Sequence, residues 1–128
     1  MRAVDTNVLV RLLTRDDEAQ AREADAFVKS GAWVSHLVLA ETSWVLSAVY
    51  ERGRSQLADA IGQLLEHESL VMQDEDVVSA ALRSFRAQTR AGFSDCLILE
   101  IARKAGHLPL GTFDAALAKL DGAERLEG

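Results

Sequence analysis

Short aliphatic runs alternate along the chain with longer stretches in which apolar residues recur every three or four positions. The aliphatic runs predict four strands, at residues 2–5, 32–35, 69–73 and 108–112. The periodic stretches predict helices at residues 6–13, 16–30, 37–52, 55–67, 74–88, 95–105 and 114–120. Strands that alternate with helices favour an α/β fold in which helices flank a mainly parallel sheet, joined by right-handed crossovers.

Polar residues and glycines mark the ends of these predicted helices. Asp16 is expected to cap the second helix, and Ser94 the helix at 95–105. Asp74, Glu75 and Asp76 open the helix that ends near Gln88. Glycines follow three of the helices, at Gly31, Gly53 and Gly106.

Composition indicates one ordinary domain over residues 1–128, because 48% of the residues are hydrophobic and the chain has no linker or repeat. Arg11 and Glu41 interrupt the most apolar stretches, so no membrane segment is expected. Asp5 breaks the apolar run that a signal peptide needs, and the single cysteine, Cys96, excludes an internal disulfide. A cytoplasmic location is therefore expected.

The net charge at first argues against a nucleic-acid partner. Fourteen basic residues stand against twenty acidic residues, which gives a formal charge of −6. Proteins that bind phosphate backbones usually carry a basic excess. A nucleic-acid partner would therefore require a positive group that neutralises the acidic residues.

Four acids occupy positions where a strand leads into a helix or where a helix begins: Asp5, Glu41, Asp95 and Asp114. The carboxyl ends of parallel strands lie along one edge of a sheet, so the fold could gather these acids. Each has a plainer explanation as well, because aspartates commonly cap helices and Asp95 could complement a helix dipole. Glu41 and Asp95 are harder to explain in this way, since their helical neighbours are apolar and a buried carboxylate needs a partner. The plainer alternative for Glu41 is a position at the rim, where its carboxylate reaches water.

Converging carboxylates would need a counter-charge. Two carboxylates about 4 Å apart repel each other by roughly 4 kcal/mol at an effective dielectric constant near 20. No lysine or arginine stands beside these four acids to supply this counter-charge. Surface arginines such as Arg11 and Arg15 could contact the other phosphates of a polyanion, although a solvated helix face is the more ordinary place for them. A hard divalent cation, Mg²⁺ or Mn²⁺, is the natural ligand for a set of carboxylate oxygens, and it would convert an acidic pocket into one that binds phosphate.

Four blocks of sequence resemble one known family in order and spacing: VDTNVLVRLLTRDD (4–17), LVLAETSWVL (37–46), FSDCLI (93–98) and GTFDAALAKLDG (111–122). The family is that of the PIN-domain ribonucleases, and the similarity is greatest to the VapC-like toxins of bacterial toxin–antitoxin pairs. It covers nearly the whole chain. It implies a three-layer α/β/α sandwich, Mg²⁺- or Mn²⁺-dependent hydrolysis of RNA, a homodimer and a cognate VapB-like antitoxin.

The resemblance also implies roles for individual residues. The four acids Asp5, Glu41, Asp95 and Asp114 match the catalytic and metal-binding acids of the family. Three polar residues match neighbours that orient carboxylates and waters: Thr6, Asn7 and Thr112. Two departures, Cys96 where alanine is common and Asp121 where proline is common, fall outside the ligand positions.

Two other classes of protein remain possible at the level of sequence. A catalytically silent PIN-like module would bind RNA or protein without cutting, although the complete set of acids argues against it. A receiver-type phospho-acceptor domain would need adjacent acids after the first strand and a late lysine, whereas Asp5 stands alone there. A nucleotide cofactor is not expected, because the chain has no G-x-G-x-x-G or G-x-x-x-x-G-K-[ST] motif. Trp33, Trp44 and Tyr50 are expected to pack in the core or in a dimer, with RNA stacking as the less favoured alternative.

Overall fold

The computed structural model describes residues 1–87 and 90–128. These residues form two compact units, Met1–Glu75 and Asp76–Gly128, and each unit is an arrangement of helices with parallel strands. The predicted end of a helix at Gln88 lies outside the described residues.

The first unit contains three strands and four helices. In chain order these are β1 Arg2–Ala3, α1 Thr6–Thr14, α2 Glu18–Val28, β2 Ala32–Val34, α3 His36–Ala48, α4 Arg54–Glu66 and β3 Leu70–Met72. The strands form one parallel sheet in the order β1-β2-β3, with Ala3 beside Trp33 and Trp33 beside Val71. Because successive side chains alternate between the faces of a strand, one face of β2 and β3 is buried and the other, carrying Trp33 and Val71, is exposed.

The core of the first unit lies between the buried face of this sheet and the apolar sides of its helices. Its most deeply buried members include Leu9, Val34, Leu39, Leu46 and Ile61. Thr42 and Ser43 are buried on α3 as well, and their hydroxyl groups donate to the backbone oxygens of residues three or four positions earlier in the helix. Local hydrogen bonding of this kind satisfies a hydroxyl group that has no access to water.

The second unit contains helices α5 and α6, a short 3₁₀ helix and two strands. Most of α5 Glu75–Arg86 belongs to this unit, followed by α6 Phe93–Ala105, β4 Leu110–Thr112, the 3₁₀ helix Leu117–Lys119 and β5 Ala123–Arg125. Strands β4 and β5 pair in parallel. Phe85 and Phe93 meet edge to face, with their ring centroids 5.9 Å apart, and Cys96 is buried close by on α6.

Most predicted elements are present, with corrections at their ends. Asp17, rather than Asp16, caps α2, because its side chain accepts from the Gln20 backbone N–H. Gly92, rather than Ser94, is the N-cap of α6. The helix predicted at 114–120 shortens to the 3₁₀ helix, and β5 was not predicted.

Gly106 ends α6 as predicted. Its φ of +82° is left-handed, and its N–H donates back to the last turn of the helix. Residues with a side chain adopt this conformation only with strain, so glycine is favoured at this position.

Candidate active site

Asp5 is the N-cap of α1, directly after β1. Its Oδ1 accepts from the Val8 backbone N–H at 3.3 Å, and its side chain is exposed. The capping role considered from sequence is therefore correct. It does not exclude a second role, because a carboxylate has two oxygens and several acceptor positions.

Thr6, the next residue, connects α1 to α3. Its hydroxyl group donates to Oε2 of Glu41, with 2.8 Å between the two oxygens. A hydrogen bond to a charged acceptor orients that carboxylate more firmly than one between neutral groups. The predicted role of Thr6 as a residue that orients an acid agrees with this contact.

Glu41 lies at the rim with its carboxylate in water, which is the plainer of its two interpretations from sequence; burial among apolar residues, the favoured one, is wrong. Sequence placed its carboxylate among buried apolar neighbours, yet Glu41 is exposed, and so are Leu37 (70% of its surface) and Trp44 (66%) on the same side of α3. The opposite side, with Leu39 and Leu46, faces the core. Because α3 is apolar on both sides, its sequence alone could not indicate which side is buried.

Asp95 occupies the first turn of α6, three residues after the Gly92 N-cap. Its carboxylate accepts a hydrogen bond from the Gly92 backbone N–H, which is the reach-back half of a capping box. The spacing of glycine and acid is a sequence signal that would have located this cap. Asp95 is partly buried, and of its predicted apolar neighbours Leu99 is buried whereas Ile98 is 49% exposed.

Asp114 follows β4 and is held from two directions. Its Oδ1 accepts from the Leu117 backbone N–H at 2.8 Å, and its own N–H donates to Oγ1 of Thr112 at 3.0 Å. Thr112 therefore fixes the backbone on which Asp114 is carried. The contact is with the backbone of Asp114 and not with its carboxylate, so the role of Thr112 in orienting carboxylates and waters stays a prediction.

The negative charge of Asp114 affects the ionisation of Asp95 in the second unit. The pKa of Asp95 is raised above its usual value, first because partial burial disfavours the charged form and second because Asp114 is negative. The hydrogen bond from Gly92 opposes this increase without cancelling it. The charged form of Asp95 is thus disfavoured by burial and by a negatively charged neighbour, Asp114.

A cavity of about 710 Å³ opens beside α1 and α2 in the first unit. Asn7 contributes to its lining, as do Arg2, Arg11 and Phe27. The guanidinium group of Arg2 lies over the Phe27 ring, 3.7 Å from its centroid. Asn7 therefore faces this cavity. Its neighbour Thr6 contacts the carboxylate of Glu41 instead.

Two of the arginines that sequence offered as phosphate contacts are paired with acids. Arg11 forms an ion pair with Asp16 at 3.0 Å and contacts the Tyr50 hydroxyl group, while Arg15 forms a forked pair with Asp25. The hydroxyl group of Tyr50 in turn donates to Asp16 at 2.8 Å. Sequence reasoning missed this network because Tyr50, which contacts both Arg11 and Asp16, lies 39 and 34 residues further along the chain.

The oxygens available in each unit suit a hard divalent cation. Among residues 1–87 and 90–128, no group of three histidine, cysteine, aspartate or glutamate residues is arranged to hold a metal ion. Mg²⁺ does not require such a group, because it is commonly bound through one or two carboxylates, with water and substrate phosphate as the remaining ligands. Asp95 and Asp114 meet that description, and a bound cation would offset the repulsion from Asp114 that, after burial, raises the pKa of Asp95.

The fold and these acids define an α/β protein in which carboxylates follow the ends of parallel strands. A family model described as PIN domain matches residues 2–123, and the chain belongs to the PIN domain family. PIN domains are generally nucleases, and such nucleases generally use divalent metals such as Mg²⁺. No curated protein and no solved structure matches the chain. None of the helices in the described ranges has the length and hydropathy that a membrane crossing requires.

Proposed function

We propose that this PIN domain is a Mg²⁺- or Mn²⁺-dependent endoribonuclease. The observation that best supports the proposal concerns Asp95 in the second unit: its carboxylate is partly buried and lies within the influence of the negative charge of Asp114, and its pKa is raised, first by burial and second by Asp114. Such an environment is unfavourable for a carboxylate in a purely structural role and becomes favourable when a cation binds. The proposed substrate is single-stranded or looped RNA, and the proposed catalytic and metal-binding residues are Asp5, Glu41, Asp95 and Asp114.

The residues around these acids have distinct tasks in the proposal. The Thr6 hydroxyl group holds Glu41. The backbone N–H group of Gly92 donates to Asp95 in the first turn of α6, and that of Leu117 donates to Asp114 in the turn after β4. Each carboxylate is therefore fixed before substrate binds, and little conformational entropy is lost when the site is used.

The cation supplies the remaining chemistry: when bound, it polarises a phosphoryl oxygen and lowers the pKa of a water that can attack phosphorus. It also answers the objection raised by the charge of −6, because the phosphate would be attracted by the cation that the acids hold. The protein's own residues would position the oxygen ligands of the cation. They would thereby keep the reacting phosphate, on which negative charge develops, close to it.

A direct test uses purified protein and an end-labelled single-stranded RNA oligonucleotide. We expect discrete cuts with Mg²⁺ or Mn²⁺, none in EDTA, and none with the Asp114→Asn variant. The asparagine side chain keeps an oxygen that can accept from the Leu117 N–H, so a loss of cutting in a normally folded variant identifies the charge as the essential feature. Equal cutting by this variant and the wild type contradicts the proposed site.

We further propose that the chain acts in the cytoplasm as the toxin of a toxin–antitoxin pair, as a homodimer, opposed by a VapB-like antitoxin. The proposal is supported by the four sequence blocks that resemble VapC-like toxins. A basic side chain from the antitoxin could pair with the acids in place of the cation. Expression of the chain alone should arrest growth, and co-expression of its genomic neighbour should restore it. Growth that is unaffected by expression of active nuclease contradicts the toxin role.

A further inference from the structure

The cavity beside α1 and α2 lies next to the first acidic motif. Its volume of about 710 Å³ falls within the range of about 300–1,000 Å³ that is usual for pockets that take a small molecule. Asn7 is one of its lining residues and stands in the first turn of α1, directly after Asp5 and Thr6. An RNA strand that is cut beside Asp5 would therefore pass close to this cavity.

The lining of the cavity comes mainly from one side of each helix. On α2 the lining residues recur at intervals of three and four positions: Gln20, Glu23, Ala24 and Phe27. This spacing places them on one face of the helix. Val8 and Arg11 line the cavity from α1. Apolar surface with a few polar side chains is the composition that ligand-binding pockets commonly have.

The guanidinium group of Arg2 is held against Phe27. It lies over the Phe27 ring, 3.7 Å from the ring centroid, and its Nη2 donates to the Phe27 carbonyl oxygen at 3.1 Å. The hydrogen bond uses one of the five N–H groups that an arginine carries. No acidic residue in the described ranges pairs with Arg2. The remaining N–H groups are therefore available to a ligand that presents acceptors.

Glu23 lines the same cavity and has no basic partner among the residues that the structure describes. It stands one helical turn before Phe27, which puts about 5–6 Å between their Cβ atoms. Arg2 and Glu23 thus lie near each other without forming an ion pair. Arg11, the other charged residue of the lining, is already paired with Asp16. The charges of the cavity therefore balance, which favours a neutral ligand with both donors and acceptors over a free phosphate.

We infer that this cavity holds a guanine base of the RNA close to the phosphate that is cut. This inference rests on the proposed function and names the base that the nuclease selects. Guanine presents two neighbouring acceptors, O6 and N7, to which an arginine donates in pairs. Its Watson–Crick edge presents two neighbouring donors, N1–H and N2–H, which suit the two oxygens of a carboxylate. No other RNA base presents both edges, so Arg2 and Glu23 together select guanine.

The first experiment digests a pool of randomised single-stranded RNA and sequences the ends that form. The wild type should show guanine at one fixed position relative to the cut. Glu23→Gln and Arg2→Lys should each reduce this preference about tenfold, since a paired contact with a base is commonly worth this much. Glu18→Gln is the matched control, because it removes the same charge from α2 outside the lining of the cavity. Cutting by the wild type without a preference for guanine overturns the inference.

Modified bases assign each edge of guanine to its residue. Inosine lacks the 2-amino group, and 7-deazaguanine lacks N7. Inosine at the preferred position should lower kcat/KM of the wild type and leave that of Glu23→Gln nearly unchanged. In the same way, 7-deazaguanine should lower kcat/KM of the wild type and not that of Arg2→Lys. Losses of equal size in the wild type and in the matching variant overturn the inference.

A binding measurement separates this inference from the proposed function. Labelled oligouridine with one guanosine should bind the wild type about tenfold more tightly than oligouridine alone, and Glu23→Gln should remove the difference. The titration uses Ca²⁺ in place of Mg²⁺ so that the RNA stays whole. Guanine-dependent binding by a wild type that cuts no RNA with Mg²⁺ or Mn²⁺ supports the pocket and refutes the nuclease proposal. Cutting without any dependence on guanine does the reverse.

The same variants test whether a protein occupies the cavity instead. Both substitutions replace exposed side chains, so thermal melts of Arg2→Lys and Glu23→Gln should match that of the wild type. If both variants dissociate a dimer in sedimentation and leave the guanine preference unchanged, a second copy of the chain fills the cavity and the inference fails.

Discussion

The hydroxyl group of Thr6 donates to the carboxylate of Glu41 across 35 residues of sequence, with 2.8 Å between the two oxygens. This bond joins the first turn of α1, which follows β1, to α3, which follows β2. Neighbouring parallel strands bring the starts of the helices that follow them to the same edge of a sheet. The hydrogen bond therefore reports that these two acidic motifs, distant in sequence, are adjacent in the first unit.

Thr6→Val should impair cleavage more than it impairs folding. The change removes the donor to Glu41 and keeps a side chain of similar shape, so the carboxylate loses its fixed orientation. Because Glu41 is exposed, water replaces part of the lost bond, and we expect about a tenfold decrease in kcat/KM. Thr6→Ser retains the hydroxyl group and should stay near the wild-type rate, which cleavage kinetics and a thermal melt of both variants will establish.

Asp5→Asn should abolish cleavage and leave stability nearly unchanged. Asparagine caps a helix about as well as aspartate, so the contact with the Val8 N–H survives while the charge is lost. Asp5→Ala should also be inactive and in addition lose about 1 kcal/mol of unfolding free energy. Urea unfolding of the two variants separates the cap from the chemistry. An active Asp5→Asn protein removes Asp5 from the mechanism.

Ionisation of Asp95 should lower the stability of the metal-free protein. Its pKa is raised in the folded state, so the folded protein holds this proton more tightly than the unfolded chain. The associated stability is fully present below the usual value of 3.8 and is lost as the pH rises through the raised value. Asp95→Asn removes the ionisation, and in EDTA it should melt above the wild type at pH 7.

The same pair of proteins provides the control at low pH. Below pH 3.8 both Asp95 and its asparagine replacement are neutral, and the difference in melting temperature should disappear. Asp114→Asn removes the neighbouring charge, so it should bring the pKa of Asp95 closer to the usual value. A wild type that is the more stable protein at pH 7 without metal contradicts the assigned direction.

Mg²⁺ and Mn²⁺ should raise the melting temperature, because a ligand that binds only the folded state stabilises it. At a hundred times its dissociation constant, the cation should add about 2.7 kcal/mol, and EDTA should reverse the effect. The shift should decrease in each of the asparagine or glutamine variants of Asp5, Glu41, Asp95 and Asp114. A variant with an undiminished shift identifies an acid that does not contribute to metal binding.

Sequence predicted the helices and strands of this chain well where a single local signal decides them. Gly106 is one such case, because its left-handed backbone favours glycine whatever surrounds it. The N-cap of α2 was harder to predict, because Asp16 and Asp17 are adjacent and the choice between them depends on side chains elsewhere in the fold. Arg11 and Tyr50 both bind Asp16, which leaves Asp17 at the cap.

The candidate site was predicted by position and only partly by environment. The order of motifs indicated the acids and the threonines beside them. In the structure Thr6 donates to the carboxylate of Glu41 and Thr112 accepts from the Asp114 N–H, and their roles in a metal site stay predictions. The exposure of Glu41 and Trp44 could not be predicted, because α3 carries apolar residues around its whole circumference. Strand β5 was missed because Ala123–Arg125 is short and has no apolar alternation.

Helices α1 and α3 are joined at two levels, by Thr6 with Glu41 near one end and by Arg11 with Tyr50 beyond the other. Two contacts at different positions along the helices oppose both translation and rotation of one helix against the other. The carboxylate of Glu41 is consequently carried by a rigid pair of helices whose geometry is set during folding. A substrate that binds beside this helix pair meets ligands that are already in place. Little of the binding free energy of the substrate is then lost to ordering the site.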